Sequence, residues 1–213
     1  MKIIGVTGGI GTGKSLVASI LGEFGAQVLD CDQVAKHIYQ KGMPAYDEVR
    51  NVFGDGILHE NREIDTKKLG AIVFQNAEKM RLLSEITHKY VYTYLEDFIT
   101  NEREQEKACL QAGQTKEKLL VIEAAVPDKE TFQAMTDEIW VVTAGREERI
   151  ARITERDHCT PAQAQQKINL QMSEQAYMEM ADKAIANEGD KNMLREEVVH
   201  LIRSNEFEEK AVE

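Results

Sequence analysis

Apolar residues fall along this chain in two alternating patterns. Short runs at Ile3-Ile4-Gly5-Val6, Gln27-Val28-Leu29-Asp30, Leu119-Leu120-Val121-Ile122-Glu123 and Glu138-Ile139-Trp140-Val141-Val142 predict strands, the last two β-branched and apolar as strands buried on both faces should be, with a fifth around Ala184-Ile185-Ala186. Between them, apolar residues recur at spacings of three and four. Val17, Ile20, Leu21 and Phe24 predict a helix over 14–24 that stops at Gly25, and a second helix is expected from Gln33 to Gln40. Two amphipathic segments end at Val52-Phe53-Gly54 and Val73-Phe74. The turn-like Asn61-Arg62-Glu63 lies between Ile57-Leu58 and Ile64-Asp65 and predicts a tight bend rather than a domain break. From Ala77 to about Gln114 a long helical pattern carries Leu82, Leu83, Ile86, Tyr90, Tyr94, Leu95 and Phe98 on one face.

Later, Arg146 to Asp157 reads as a helix with Ile150 and Ile153 apolar, and helical sequence continues over 158–183 with Thr160 as N-cap and Pro161 in the first turn. The Glu-, Gln- and Lys-rich stretch Asn101 to Lys118 is expected in solvent, and the charged tail Glu206 to Glu213 is expected to fray. Five strands separated by helices make a doubly wound, five-stranded parallel sheet the economical solution, in a single α/β domain over 1–213.

Charge narrows the partners. With 37 Asp and Glu against 26 Lys and Arg, the net charge is −11, which argues against a nucleic-acid binder needing a basic face. A local anion site inside an acidic protein is still compatible with it. Cys31, Cys109 and Cys159 are isolated and form neither a zinc spacing nor a disulfide framework, and no apolar run approaches the ~20 residues of a membrane span. The expected compartment is the cytoplasm, with no membrane partner.

The chemistry concentrates after the first strand. Gly8-Gly9-Ile10-Gly11-Thr12-Gly13-Lys14-Ser15 matches the phosphate-loop spacing G-x-x-x-x-G-K-[ST] without a mismatch, in the strand, loop, helix context that gives the spacing its mechanism. Backbone amides and the helix N-terminus converge on an anion, Lys14 places a point charge at the outer phosphates, and Ser15 would ligate the accompanying magnesium. Asp30-Cys31-Asp32 closes the second strand, at the sheet edge where ligands sit. Asp32 is either the carboxylate that accepts an alcohol proton or an N-cap. Glu123 closes the next strand, as a magnesium-side acid or a surface salt-bridge partner. Arg149, Arg152 and Arg156 share one neighbourhood of a helix. They read as lid guanidiniums for transferring phosphate oxygens or as solvated pairs with Glu147, Glu148 and Glu155. His88, within an apolar helical stretch, reads by itself as a core or surface histidine.

These residues together resemble the dephospho-coenzyme A kinase family over nearly the whole chain. The shared features are the opening Ile-Gly-Val-Thr-Gly-Gly-Ile-Gly-Thr-Gly-Lys-Ser, Asp30-Cys31-Asp32 with Val34-Ala35, Phe53-Gly54, Ile64-Asp65, Val73-Phe74, His88, Arg152 to Arg156-Asp157, Ile168, Gln171, Ala181-Asp182, Ile185, Asn187 and Gly189. The resemblance implies a P-loop kinase fold with a helical acceptor-binding region at about 60–115 and a helical lid at about 145–175. It implies ATP and Mg2+ as cofactors and dephospho-coenzyme A as acceptor. Within the loop Gly9, Ile10, Gly11, Thr12, Gly13, Lys14, Ser15 and Leu16 would hold the ATP phosphates, and Asn187 would lie near adenine. Asp32 would be the base toward the ribose 3′-hydroxyl, His88 an acceptor contact, and Arg152 and Arg156 the lid arginines. The sequence departs from the family on the acceptor side. His88 is followed by Lys89-Tyr90-Val91-Tyr92 rather than by proline and then arginine, and Ala124 to Lys129 stands where Pro-Leu-Leu is usual. A same-fold kinase for another nucleoside or pantetheine-like acceptor, or a nucleotide-binding regulator without acceptor chemistry, would share the donor half of the pattern.

Overall fold

Five strands form where the apolar runs predict them. The computed structural model describes residues 1–112 and 118–210, the side chains of 205–210 excepted. In chain order the elements are β1 (Lys2–Thr7), α1 (Lys14–Glu23), β2 (Gln27–Asp30), α2 (Cys31–Ile38), α3 (Pro44–Phe53), α4 (Thr66–Val73), α5 (Ala77–Gln111), β3 (Leu119–Glu123), α6 (Lys129–Met135), β4 (Glu138–Thr143), α7 (Arg146–Asp157), α8 (Pro161–Asn169), α9 (Glu174–Met178), β5 (Lys183–Ala186) and α10 (Lys191–Lys210), with a short 3₁₀ turn at Asp55–Ile57. Two compact units result, Met1–Asp30 with Thr115–Glu213, and Cys31–Gln114.

The first unit holds the sheet, in the order β2-β3-β1-β4-β5 with every pairing parallel. Alternation along the strands sorts side chains to two faces. Ile4, Val6, Val121, Trp140, Val142 and Ile185 pack with Val17, Ala18, Ile20 and Leu21 of α1 and with Leu194 and Val198 of α10. On the other face Phe132 of α6 packs against Gly5. Helices therefore cover both faces, which is why the strands tolerate almost continuous apolar sequence. Each fully buried aliphatic side chain contributes roughly 1.5–3 kcal/mol. At the amino ends of the strands, Asp137 Oδ2 accepts from Ile3 N and Asp182 Oδ2 from Ile139 N, both at 2.7 Å, so the amides of these buried residues are satisfied by acids one strand over. At the carboxyl ends, β1 and β4 are neighbours whose chains run on toward opposite edges of the sheet, the arrangement that opens a crevice above them.

Two expectations need adjustment. Helical sequence was expected to run through 158–183, yet it is interrupted between α8 and α9. Thr160 and Gln163 form a capping box at the start of α8, and Ser173 accepts from Ala176 N to start α9 afresh. The second helix begins at Cys31 rather than Gln33, which puts Asp32 inside its first turn and not at an N-cap, where a carboxylate still suits the helix dipole.

The second unit is helical. Tyr46 and Val49 of α3, Ile57 and Leu58 at the end of the 3₁₀ turn, Leu69 and Val73 of α4, and Ile86 of α5 form its core. Asp65 caps α4 by accepting from Lys67 N and Lys68 N, and Asn76 caps α5 through Lys79 N. The predicted bend at 61–63 is a single antiparallel bridge, Leu58 to Ile64, with Arg62 at φ 69°. This unit takes in α2 and α3 as well as the 60–115 region expected from the sequence. Of the stretch expected in solvent, 101–112 is mostly exposed although Glu106 is buried, and 113–117 lies outside the described residues. Backbone helix reaches Lys210, and residues 211–213 of the expected frayed tail likewise lie outside the description.

Candidate active site

The loop leaving β1 folds back on its own carbonyls. Thr12 N and Thr12 Oγ1 both donate to Gly9 O, at 3.3 and 2.9 Å, and the buried Lys14 reaches the same oxygen through Nζ at 3.2 Å. Gly13 precedes α1 with φ 98° and brings no side chain to cap the helix, so the dipole of the first turn is available to an anion. A Cβ at Gly13 would also overlap Asn187 Nδ2, which donates to Thr12 O at 2.8 Å. Asn187 is itself buried and held through its own N–H to Thr143 O at 2.8 Å. The end of β5 thus braces the loop. In this first unit the expected ATP residue Asn187 and the loop residues come together.

The arginines of α7 separate. Arg152 uses Nη1 on Gly11 O and Thr12 O, at 3.2 and 3.3 Å, and Nη2 on Asn187 O and Oδ1, at 3.0 and 3.4 Å. Arg149 donates from Nε to Ile10 O at 2.9 Å, and its guanidinium lies so close over Gly9 that a methyl group there would overlap Nη2. Arg156 is exposed and forms a two-point pair with Asp157, from Nε at 2.7 Å and Nη2 at 3.3 Å. Lys167 of α8 binds Asp157 as well, and these two cations hold the Asp157 carboxyl well below the usual carboxylate range. Ile153 of α7 packs with Ala164 and Ile168 of α8 beneath this polar edge, within the span expected of a lid.

On the other side of the loop, Ser15 Oγ donates to Glu123 Oε1 at 2.7 Å, and Asp30 sits opposite Glu123 in the β2–β3 register. A hydroxyl and a carboxylate beside a polyphosphate loop are the hard oxygen donors that suit magnesium, which keeps most of its water shell. Among the described residues no group of three or more His, Cys, Asp or Glu is placed to hold a metal ion.

Asp32 and His88 belong to the second unit. Asp32 is exposed in the first turn of α2; His88 is half-buried on α5, its ring edge-on to Tyr92 with centroids 5.9 Å apart. The neighbouring Lys89 donates to Glu48 at 2.8 Å, and Tyr90 donates to the same carboxylate at 2.6 Å.

The match to known proteins decides the family. A family model described as dephospho-CoA kinase matches residues 2–192. The chain belongs to the dephospho-CoA kinase family. It is 34% identical to the dephospho-CoA kinase of Carboxydothermus hydrogenoformans over 203 residues, 95% of this chain and 94% of that one. With the Staphylococcus haemolyticus dephospho-CoA kinase it shares 32% over 206 residues, 97% and 96% of the two chains. Among solved structures, one from Thermus thermophilus superposes with a TM-score of 0.75 at 23% identity, covering 95% of this chain and 97% of that one. A shikimate kinase from Acinetobacter baumannii reaches 0.54 at 17% identity, with 96% and 94% covered, which places the sheet in the wider P-loop kinase fold. Membership of the dephospho-CoA kinase family makes the chain a kinase, a transferase using ATP and a small-molecule acceptor. Among the described residues no helix is long and apolar enough to cross a membrane.

Gln171, whose Oε1 accepts from Ile10 N, and Tyr177, whose hydroxyl donates to Ala125 O at 2.7 Å, have no role in the sequence reading, because their contacts are made across the fold. Arg149 is read there with Arg152 and Arg156 as a lid guanidinium or a solvated partner, and its contact with Ile10 O puts it at the loop.

Proposed function

We infer that this member of the family transfers the γ-phosphoryl group of ATP to the ribose 3′-hydroxyl of dephospho-CoA, giving CoA and ADP, the last step of CoA biosynthesis. The observation that carries this reading is the phosphate loop with Lys14 at Gly9 O and Ser15 joined to Glu123, in a chain matched by the family model over residues 2–192. Lys14 and the loop amides would hold the phosphate chain, and Asn187 would lie near adenine. Mg2+, held through Ser15 and Glu123, would neutralise charge on the phosphates. Asp32 would accept the 3′-hydroxyl proton as that oxygen bonds to the γ-phosphorus and the bond to the β-phosphate oxygen breaks, with His88 as a contact to the acceptor. Arg152 and Arg156 of α7 are the proposed lid arginines; Arg152 acts in part through the loop carbonyls it binds. The cytoplasm is the proposed compartment, in keeping with cysteines that form no disulfide among the described residues and an ATP-consuming small-molecule reaction.

Lys89, paired with Glu48, and the altered Ala124 to Lys129 segment favour testing a second reading, a different nucleoside or pantetheine-like acceptor. A coupled ADP-release assay decides between them. ADP release dependent on dephospho-CoA, with a 3′-phosphorylated product, supports the first reading. Turnover of another alcohol and none of dephospho-CoA overturns it, and tight ATP binding with no transfer to any acceptor indicates a regulator.

A further inference from the structure

The three arginines of α7 differ in what their guanidiniums have left to offer. Arg152 has both terminal nitrogens on carbonyl oxygens of Gly11, Thr12 and Asn187, and Arg156 is engaged with Asp157. Arg149 commits only Nε, to Ile10 O; among the described residues its Nη1 and Nη2 have no hydrogen-bond partner. Those nitrogens lie over Gly9, and Arg149 is the one cationic side chain, among the described residues, lining a pocket that Gly8, Gly9, Thr12, Glu174 and Tyr177 also help to line. Glu174 is near enough to act on Arg149 through its charge but forms no ion pair with it among the described residues. Burial holds the Arg149 guanidinium below its ordinary pKa, so it has lost water without gaining an anion. It stays charged at any ordinary pH.

The end of the phosphate chain that such an arginine would meet follows from Lys14. Its Nζ lies 3.2 Å from Gly9 O, and the lysine of this loop type reaches the β- and γ-phosphates. Gly9 therefore marks the outer-phosphate end of the loop, and Arg149 Nη2 lies against Gly9. We propose that Arg149 is a catalytic residue whose terminal nitrogens bind the oxygens of the γ-phosphoryl group, an assignment that rests on the kinase reaction above. Its planar fork matches two phosphate oxygens, and its anchoring to Ile10 O fixes its geometry before the nucleotide arrives.

Titration of the wild type, Arg149→Met and Arg149→Lys with MgATP and separately with MgADP tests this. Arg149→Met is expected to weaken ATP about tenfold or more, the worth of a charge-assisted bond, while ADP weakens less than about twofold. Arg149→Lys should fall between, keeping the charge and losing the fork. Equal weakening of ATP and ADP would show that Arg149 only supports the loop, and unchanged affinity for both would remove it from the site; either overturns the proposal. A lowered Tm in Arg149→Met would signal a folding defect, and Arg149→Lys then carries the comparison. The titrations need no acceptor, so failure of the wild type to phosphorylate dephospho-CoA would count against the reaction and leave the Arg149 result readable.

Discussion

Ser15 Oγ donates to Glu123 Oε1 at 2.7 Å, tying the first turn of α1 to the carboxyl end of β3. A serine that would ligate magnesium and an acid from the neighbouring strand thus share one spot beside the loop. Glu123→Gln keeps the hydrogen bond and removes the charge. The Mg2+ concentration giving half the maximal rate should rise about tenfold in this variant, with ATP saturating. Initial ADP-release rates over a magnesium series measure it, and an unchanged magnesium dependence would reduce Glu123 to a partner of Ser15.

Lys14 and Asp32 should fail in different ways. Lys14→Ala removes the buried charge at Gly9 O and should lose both ATP affinity and turnover. Asp32→Asn should lower kcat by about 10²- to 10⁴-fold, the range of a general base, with ATP affinity nearly intact. Steady-state kinetics beside nucleotide titrations separate the two, and near-wild-type kcat in Asp32→Asn would take that carboxylate out of the mechanism.

Asp157 joins α7 to α8 through Arg156 and Lys167, and its carboxyl is held below the ordinary value by those hydrogen bonds. A depressed folded pKa means that the stabilisation is complete above the unfolded value near pH 4 and is lost as pH falls below it. Asp157→Asn should cost about 1 kcal/mol at pH 7, since the pairs are partly exposed. Thermal melts from pH 7 to pH 2 should show the gap between variant and wild type closing on acidification; a gap constant with pH would rule out charge as its source.

Tyr177 is buried with its hydroxyl donating to Ala125 O at 2.7 Å, and burial pushes its pKa up to about 12, against the opposing charge of Arg149. The folded state holds this proton more tightly than the unfolded one, whose phenol titrates near 10, so stability is full below pH 10 and declines between 10 and 12. Tyr177→Phe should cost about 1–2 kcal/mol at neutral pH by stranding the Ala125 carbonyl. In urea denaturation at pH 8 and pH 11, that cost should shrink at the higher pH, and an equal cost at both would disconnect the hydroxyl from the alkaline loss.

Much of this arrangement is legible in the residues because its causes are local. Ile3 to Val6, Leu119 to Ile122 and Ile139 to Val142 read as buried strands, and the helix over Arg146 to Asp157 has the limits its apolar spacing predicts. The phosphate loop is legible for the same reason, since glycines at fixed offsets before Lys14 are a backbone requirement. The break between α8 and α9 was harder to see. Residues 170–173 carry no glycine or proline, and the restart depends on the Ser173 cap.

The sequence by itself determined that a polyphosphate loop follows the first strand of a five-stranded α/β sheet, and that acids and arginines stand after later strands. Periodicity and turn chemistry act over a few residues, so they can be read from a few residues. Only the tertiary structure decided the strand order, the Ser15–Glu123 contact across more than a hundred residues, and the sorting of Arg149, Arg152 and Arg156. These three arginines look alike along α7. Their chemistry differs because packing against the loop turns one toward Gly9, one onto the carbonyls of Gly11 and Thr12, and leaves the third at the exposed edge with Asp157.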